Sequence, residues 1–230
     1  MNRIPGKHIA QTVNIRQIIQ KTATFWILYF IAFIAALVLL LVFSKATIHL
    51  WINRHNTPFA DHFFVLATFI GNGIFSLLAA VVLSFFSLRK SLTVLSAWMI
   101  SGLLVQLLKQ FVFSSALRPV SYFRHLASLH LVDGVTLFTT QSFPSGHTAS
   151  AFALFLCLAY FSDRRMLQGL FFALAFTVAY SRMYLSEHFL VDVTGGSVLG
   201  LGIACLFIYL FSGKWSNFVP DRPVYHLGKK

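Results

Sequence analysis

Long apolar runs are the feature of this 230-residue sequence that most restricts its fold. Each run has about 15–22 residues, and a helix of about 20 apolar residues crosses the hydrocarbon core of a bilayer. Hydrophobic residues make up 57% of the chain and charged residues only 10%, whereas soluble domains carry about 25% charged residues. These values exclude an ordinary soluble domain, a disordered chain and a fibrous repeat. The sequence therefore predicts an all-α polytopic membrane helix bundle.

Six transmembrane helices are predicted from these runs. Their approximate bounds are residues 25–44, 71–88, 92–113, 147–162, 166–185 and 189–212. A further apolar stretch, 59–70, ends at Gly71-Asn72-Gly73, and we interpret it as a short interfacial or re-entrant helix. The chain is thus divided into three parts: an N-terminal segment 1–24, a membrane domain 25–212 and a tail 213–230. Apolar residues near helical spacing between Ile9 and Ile19 favour an amphipathic helix in the first part.

Lysines and arginines are distributed unequally between the two sides that six spans define. Twelve of the 18 lie in the two terminal segments and in the second and fourth loops, and six lie on the opposite side. Because positive residues favour the cytoplasmic side, we predict a protein of the cytoplasmic (inner) membrane with both termini in the cytoplasm. Contact with anionic lipid headgroups then explains the net charge of +12. Because the membrane accounts for this charge, we expect no nucleic acid partner. The oligomeric state is left open.

Groups that suit an anion converge on the predicted outer side, which faces the exterior or periplasm. The fourth span begins with Pro144-Ser145-Gly146-His147, and a helix N-terminus presents free backbone N–H groups to an anion. The guanidinium groups of Arg118 and Arg182 can each bind two phosphate oxygens. The sequence therefore predicts a phosphate site at the outer ends of the helices.

A histidine and a carboxylate lie near the start of the sixth span. His188 and Asp192 are four residues apart, so they share one face of a helix and the carboxylate can hold one imidazole nitrogen. The other nitrogen then remains free as a nucleophile or base. A single well-placed carboxylate favours a phosphate substrate over a divalent metal, which needs several oxygen ligands.

Three segments of the chain resemble the signatures of the type 2 phosphatidic acid phosphatase family, which is related to the vanadium haloperoxidases. They are Arg118-Pro119, Pro144-Ser145-Gly146-His147, and Ser181-Arg182 followed by His188 and Asp192 at fixed spacing. The similarity covers about residues 59–212 in the family's order and topology. Two of the segments match at every fixed position, and each such match arises by chance in about one chain in a thousand.

The resemblance implies a metal-independent membrane lipid phosphatase that needs no cofactor. It implies that His188 attacks the phosphorus and forms a phosphohistidine, that Asp192 orients His188, and that His147 protonates the leaving oxygen. The residues implied to bind the phosphoryl oxygens are Lys109, Arg118, Ser145, Gly146 and Arg182.

Lys109 departs from the family pattern. The family usually places its lysine seven residues before the arginine of Arg118-Pro119, and that position is Phe111 here. On an unbroken helix a shift of two residues rotates a side chain by about 200°, so Lys109 would face away from the site. We favour the alternative, in which a bulge or loop at Ser114-Ser115 leaves Lys109 in the usual place.

The location of the site predicts its substrate class. Helix ends beside apolar spans can hold a phosphate group while the lipid tails stay in the bilayer. We therefore expect a lipid phosphate or pyrophosphate of the undecaprenyl pyrophosphate, phosphatidylglycerophosphate, phosphatidic acid or lipid A type. The main alternative is a phosphotransferase that passes the phosphoryl group to another lipid. More distant alternatives are an intramembrane serine protease using Ser145 and a transporter without catalysis, although the spans contain few charges to line a path.

Overall fold

The computed structural model of the protein describes residues 13–219 and 221–226. Within these ranges the chain forms ten α-helices and no β-strand, which confirms the all-α prediction. The helices are α1 Ile15–Lys21, α2 Ala23–Val42, α3 Lys45–Arg54, α4 Pro58–Phe69, α5 Gly73–Ser84, α6 Leu88–Phe111, α7 Pro119–Tyr122, α8 Gly146–Phe161, α9 Arg165–Tyr184 and α10 Leu190–Tyr209. A π-helical turn, Leu210–Lys214, follows α10, and a 3-10 turn occupies Val224–His226.

The predicted amphipathic N-terminal helix lies partly outside the described residues. The part that is described, α1, begins at the capping residue Asn14, whose side chain accepts a hydrogen bond from the backbone of Gln17. Ile18 is buried, whereas Ile15 and Ile19 are exposed. The helix therefore has one buried apolar position, and its other isoleucines face outward.

Among the described residues, four helices (α2, α6, α9 and α10) are long and apolar enough to cross a membrane. Helices α4 and α5 meet the same criterion only as a pair, bent by 52° at the Gly71-Asn72-Gly73 break. The prediction of a full span at 71–88 is therefore wrong in length, because α5 alone extends about 18 Å and the hydrocarbon core is about 30 Å thick. Helix α8 has 16 residues and is shorter than α2, α6, α9 and α10. The count of six spans stays a prediction.

Helix α8 forms the centre of the bundle, where it packs against α6, α9 and α10. Most of its side chains are buried. Two glycines of α10 allow the closest approach: a Cβ on Gly200 would collide with the carbonyl oxygen of Ala149, and one on Gly196 would lie 2.5 Å from that of Ser145. Small residues let membrane helices pack backbone to backbone in this way.

The helix ends form two distinct faces. At one face the C-terminal ends of α6 and α9 meet the N-terminal ends of α8 and α10. At the other face the ammonium of Lys21 lies 3.4 Å from the carboxylate of Asp163, and Arg89 donates hydrogen bonds to the carbonyl oxygen of Val219. The described residues nearest both termini therefore lie at the end of the bundle opposite to the N-terminus of α8.

Candidate active site

A cavity of about 410 Å³ lies where the ends of α6, α8 and α9 meet. It is lined by side chains of α6 and α8, by the bend between α4 and α5, by the loop before α8 and by the turn after α9. Six of the eight residues predicted for the site line this cavity, namely Lys109, Arg118, Gly146, His147, Arg182 and His188. The other two, Ser145 and Asp192, lie behind its wall. Their chemical roles stay predictions, but the structure brings the group together.

The N-terminus of α8 contributes backbone donors to the cavity. Ser145 is the capping residue, and its fully buried hydroxyl oxygen accepts hydrogen bonds from the backbone N–H and the hydroxyl of Thr148. Its side chain therefore stabilises the helix end and does not line the cavity. Gly146 and His147 follow in the first turn, where backbone N–H groups have no acceptor within the helix. Such a helix end attracts an anion.

His188 and Asp192 form a buried pair beside the cavity. The imidazole Nδ1 lies 3.5 Å from a carboxylate oxygen of Asp192, at ion-pair distance but without a well-formed hydrogen bond. That oxygen also accepts hydrogen bonds from the hydroxyl of Ser142 (2.5 Å) and the backbone N–H of Phe189 (2.8 Å), which fix the carboxylate. Because Nδ1 faces Asp192, Nε2 is the nitrogen left for the cavity.

The environment of His188 keeps its ring neutral. Burial lowers the pKa of His188 to about 3, and the nearby carboxylate of Asp192 opposes that shift. The side chain is 2% exposed. A neutral imidazole retains the lone pair that a nucleophile or a base requires.

The turn between α9 and α10 delivers His188 to the site. The backbone N–H groups of Glu187 and His188 both donate to the carbonyl oxygen of Arg182, so the chain folds back at once. Ser186 adopts a φ of 56°, in the left-handed region that serine rarely enters. Its hydroxyl contacts His49 and Asn53 of α3, each at 3.2 Å, which stabilises the turn.

Two arginines share one carboxylate at the cavity wall. Arg118 and Arg182 both contact the same oxygen of Glu187, the second at 3.2 Å, and Glu187 is 2% exposed. Arg118 also donates from Nε to the carbonyl oxygen of Thr140, and Arg182 donates from Nη1 to the hydroxyl of Thr68. The buried Nε of Arg182 has no hydrogen-bond partner in the described structure. Burial lowers the pKa of Arg118, and the carboxylate of Glu187 opposes that effect.

Lys109 lines the cavity although its spacing from Arg118 is unusual. Helix α6 ends at Phe111, and the chain from Val112 to Leu117 forms turns, so the helix does not run unbroken to Arg118. Lys109 is buried, whereas Phe111 is 74% exposed. The structure thus has the break that we favoured, although the role of Lys109 stays a prediction.

Several residues that organise this site have no role in the predictions made from the sequence. They are Thr68, Thr140, Ser142 and Glu187. Ser142 lies 50 residues from Asp192, and Thr68 lies 114 residues from Arg182, so no local spacing relates them. Glu187 adjoins His188, but a single glutamate beside a motif carries no periodic signal.

The polar groups of the cavity suit an anion better than a cation. Three cationic side chains and one helix N-terminus face it. Within residues 13–219 and 221–226, no group of three or more His, Cys, Asp or Glu side chains is arranged to hold a metal ion.

The fold and this cavity together define an integral membrane protein with a cationic, histidine-containing pocket at one end of a helix bundle. A family model described as the PAP2 superfamily matches residues 90–216, more than half of the chain. The chain belongs to the PAP2 superfamily, which confirms the resemblance drawn from its three sequence segments.

Two curated relatives match shorter segments. Phosphatidylglycerophosphatase B of Bacillus subtilis is 38% identical over 69 residues, which cover 26% of this chain and 34% of that protein. Lipid A 4'-phosphatase of Bacteroides thetaiotaomicron is 32% identical over 82 residues, which cover 36% of each protein. The chain thus matches about a third of the length of these relatives.

Two solved structures are similar over most of their length. The Aquifex aeolicus LpxE structure has a TM-score of 0.63 and 27% identity, and the match covers 70% of this chain and 93% of that one. A PAP2-type phosphatidylglycerolphosphate phosphatase from Bacillus subtilis has a TM-score of 0.58 and 23% identity, with 81% and 94% covered. The second similarity shows the fold alone.

Proposed function

We propose that the protein is a membrane lipid phosphatase that removes a phosphoryl group through a phosphohistidine on His188. One observation carries the proposal: His188 and His147 line the same cavity as three cationic side chains, and Asp192 lies directly behind His188. A nucleophile, an acid and a set of anion-binding groups are the parts that phosphoryl transfer requires.

In the first step, the Nε2 lone pair of His188 attacks the phosphorus in line with the bond to the lipid oxygen. That P–O bond breaks, and protonated His147 gives its proton to the leaving oxygen. The carboxylate of Asp192 stabilises the positive charge that develops on the imidazole. The products of this step are the dephosphorylated lipid and a phosphohistidine.

In the second step, a water molecule attacks the phosphohistidine. His147, now neutral, accepts a proton from that water, and the P–N bond breaks. Inorganic phosphate leaves, and both histidines return to their starting states. Arg118, Arg182 and Lys109 stabilise the charge on the phosphoryl oxygens in both transition states, without reorganising as the charge moves.

The shape of the cavity supports a lipid substrate. Lys109 and Trp98 both line it, and they are eleven positions apart on α6, or about 16 Å along the helix axis. Gly102 lies between them, and a Cβ added there would meet no atom within 4 Å. The cavity therefore extends from the cationic end into the apolar span, where a lipid tail would lie.

The substrate is one of the four lipid types expected from the sequence. The names of the curated relatives support the phosphatidylglycerophosphate and lipid A types, since both relatives are named as phosphatases of such lipids. Undecaprenyl pyrophosphate and phosphatidic acid remain in the test panel.

The location in the cell is also part of the proposal. We place the protein in the inner membrane, with a six-span domain at 25–212, cytoplasmic flanking segments 1–24 and 213–230, and the site at the outer face. The excess of basic residues near the termini supports this orientation. So does the position of Lys21 and Arg89 at the end of the bundle opposite to the cavity.

The experiment is phosphate release from the four lipid types by the full chain in detergent with a metal chelator. We expect release from at least one lipid, loss of release in His188→Ala, and full release in His62→Ala. His62 is a matched control because it is exposed and does not line the cavity. Release that persists in His188→Ala would refute the nucleophile. A new phosphorylated lipid without inorganic phosphate would identify a phosphotransferase.

A further inference from the structure

Glu187 places a negative charge where the site should bind one. Its carboxylate contacts both Arg118 and Arg182, the two guanidinium groups suited to phosphoryl oxygens. It is 2% exposed, so no solvent separates it from them. A phosphoryl group that enters the site thus meets two arginines that already form ion pairs with Glu187.

The buried carboxylate has a clear structural effect. Two guanidinium groups held this close repel each other, and burying charge without a partner is costly. Glu187 neutralises part of that charge while the site is empty. It also repels any anion that approaches the same arginines, because like charges in a buried site are weakly screened.

The charge balance of the whole site points to a particular substrate charge. Lys109, Arg118 and Arg182 carry three positive charges, whereas Asp192 and Glu187 carry two negative charges, so the excess is one positive charge. A phosphate monoester carries about two negative charges at neutral pH. A lipid diphosphate carries about three, by the same reasoning. The charge of the monoester therefore exceeds the positive excess of the site by about one unit, and the charge of the diphosphate exceeds it by about two.

We propose that Glu187 is an internal counter-anion that weakens binding of the product phosphate and makes the enzyme select lipid phosphate monoesters over lipid diphosphates. This inference rests on the proposed phosphatase function and adds its substrate class. Glu187 touches the phosphate-binding arginines and not the reacting atoms, so it sets specificity and takes no part in proton or phosphoryl transfer.

The test compares the wild-type chain with Glu187→Gln, which keeps the shape of the side chain and removes its charge. We expect the inhibition constant for inorganic phosphate to fall about tenfold, equivalent to about 1.4 kcal/mol. The ratio of kcat/KM for a diphosphate to that for a monophosphate with the same tail should rise about tenfold. Added phosphate should also raise the Tm of the variant more than that of the wild type, because phosphate supplies the missing negative charge.

A matched control tests whether any lost carboxylate has this effect. Asp61 accepts a hydrogen bond from Tyr184 (2.5 Å) and lies 3.1 Å from His130, and it does not line the cavity. Asp61→Asn should leave both the phosphate inhibition constant and the substrate ratio at their wild-type values. An equal shift in both variants would overturn the assignment to Glu187.

Other outcomes also decide the proposal. A loss of the phosphate-dependent Tm increase in Glu187→Gln would show that the carboxylate only orients the arginines, which overturns it. If the variant does not fold, the wild-type chain alone gives the answer, because a preference for diphosphates over monophosphates contradicts the charge balance. If the wild type hydrolyses no lipid, the proposed function fails, while the Tm measurement with inorganic phosphate still tests the role of Glu187.

Discussion

Replacing Asp192 by asparagine changes the His188 pair with little change in shape. The amide oxygen can still accept hydrogen bonds from Ser142 and from the backbone of Phe189, which now hold the carboxylate. The carboxylate oxygen that accepts these two hydrogen bonds is also the one that lies 3.5 Å from Nδ1 of His188, so the amide oxygen takes its place beside the imidazole without the negative charge. The Nε2 lone pair is therefore retained, and the variant loses the stabilisation of the positive charge that develops on the imidazole during attack.

The size of the effect follows from the distance between the pair. At 3.5 Å, two unit charges in a medium of effective dielectric constant about 20 interact with about 5 kcal/mol. The variant loses this stabilisation of the imidazolium in the transition state. Each 1.36 kcal/mol is a factor of ten in rate, so kcat should fall by about 10³–10⁴-fold.

Steady-state phosphate release in detergent measures this change. We expect kcat to fall and KM to change little, because the Asp192→Asn substitution leaves the cationic groups of the cavity in place. Ser142→Ala is the matched comparison: it removes one of the two donors that fix the carboxylate and should cost about tenfold. A folded Asp192→Asn variant with kcat within tenfold of wild type would refute the assignment of Asp192 to His188.

Three further predictions concern the tail cavity, the helix packing and the effect of pH. Gly102→Trp should abolish hydrolysis of long-chain lipids and spare a short-chain soluble phosphate ester. Gly102→Ala should act like wild type on both substrates, because a Cβ at this position meets no atom within 4 Å. An equal loss of activity on both substrates in Gly102→Trp would argue against a tail site. Gly200→Ala should lower the free energy of unfolding by about 1–3 kcal/mol, because the added Cβ would collide with the carbonyl oxygen of Ala149. An unchanged Tm would contradict the close packing of α10 against α8. The pKa of His188 is lowered to about 3 in the folded chain and is about 6.5 when unfolded, so acid protonates the unfolded state first. The free energy of unfolding should therefore fall by up to about 1.4 kcal/mol for each pH unit as the pH is lowered from about 6.5 to 3. In His188→Gln this dependence on pH should be weaker. An identical dependence in both proteins, measured by denaturation at several pH values, would show that His188 does not contribute.

The sequence was most informative where a local spacing determines a contact. The separation of His188 from Asp192 by four residues predicted a pair, and the structure places their side chains 3.5 Å apart. Apolar run lengths predicted four of the long helices to within a few residues. Both signals are local, because a helix period or a bilayer thickness sets them without reference to the rest of the fold.

Features that depend on distant neighbours were not predictable in this way. The break at Gly71-Asn72-Gly73 was predicted from the sequence, but the length of the run 71–88 did not show that α5 has only 12 residues. The contact of both arginines with Glu187 requires the turn after α9, which holds Glu187, to meet the distant segment that holds Arg118. The side chain of Ser145 caps α8, and its contact with a phosphoryl oxygen stays a prediction.

If the phosphoryl group passes through His188, a phosphohistidine forms during turnover and can be trapped. The full chain is mixed with a radiolabelled lipid phosphate, quenched within milliseconds at alkaline pH, digested and mapped. We expect an acid-labile label on the peptide that contains His188, present in the wild type and absent in His188→Ala. A label on His147, or phosphate release with no labelled peptide at any time, would show that His188 is not the nucleophile.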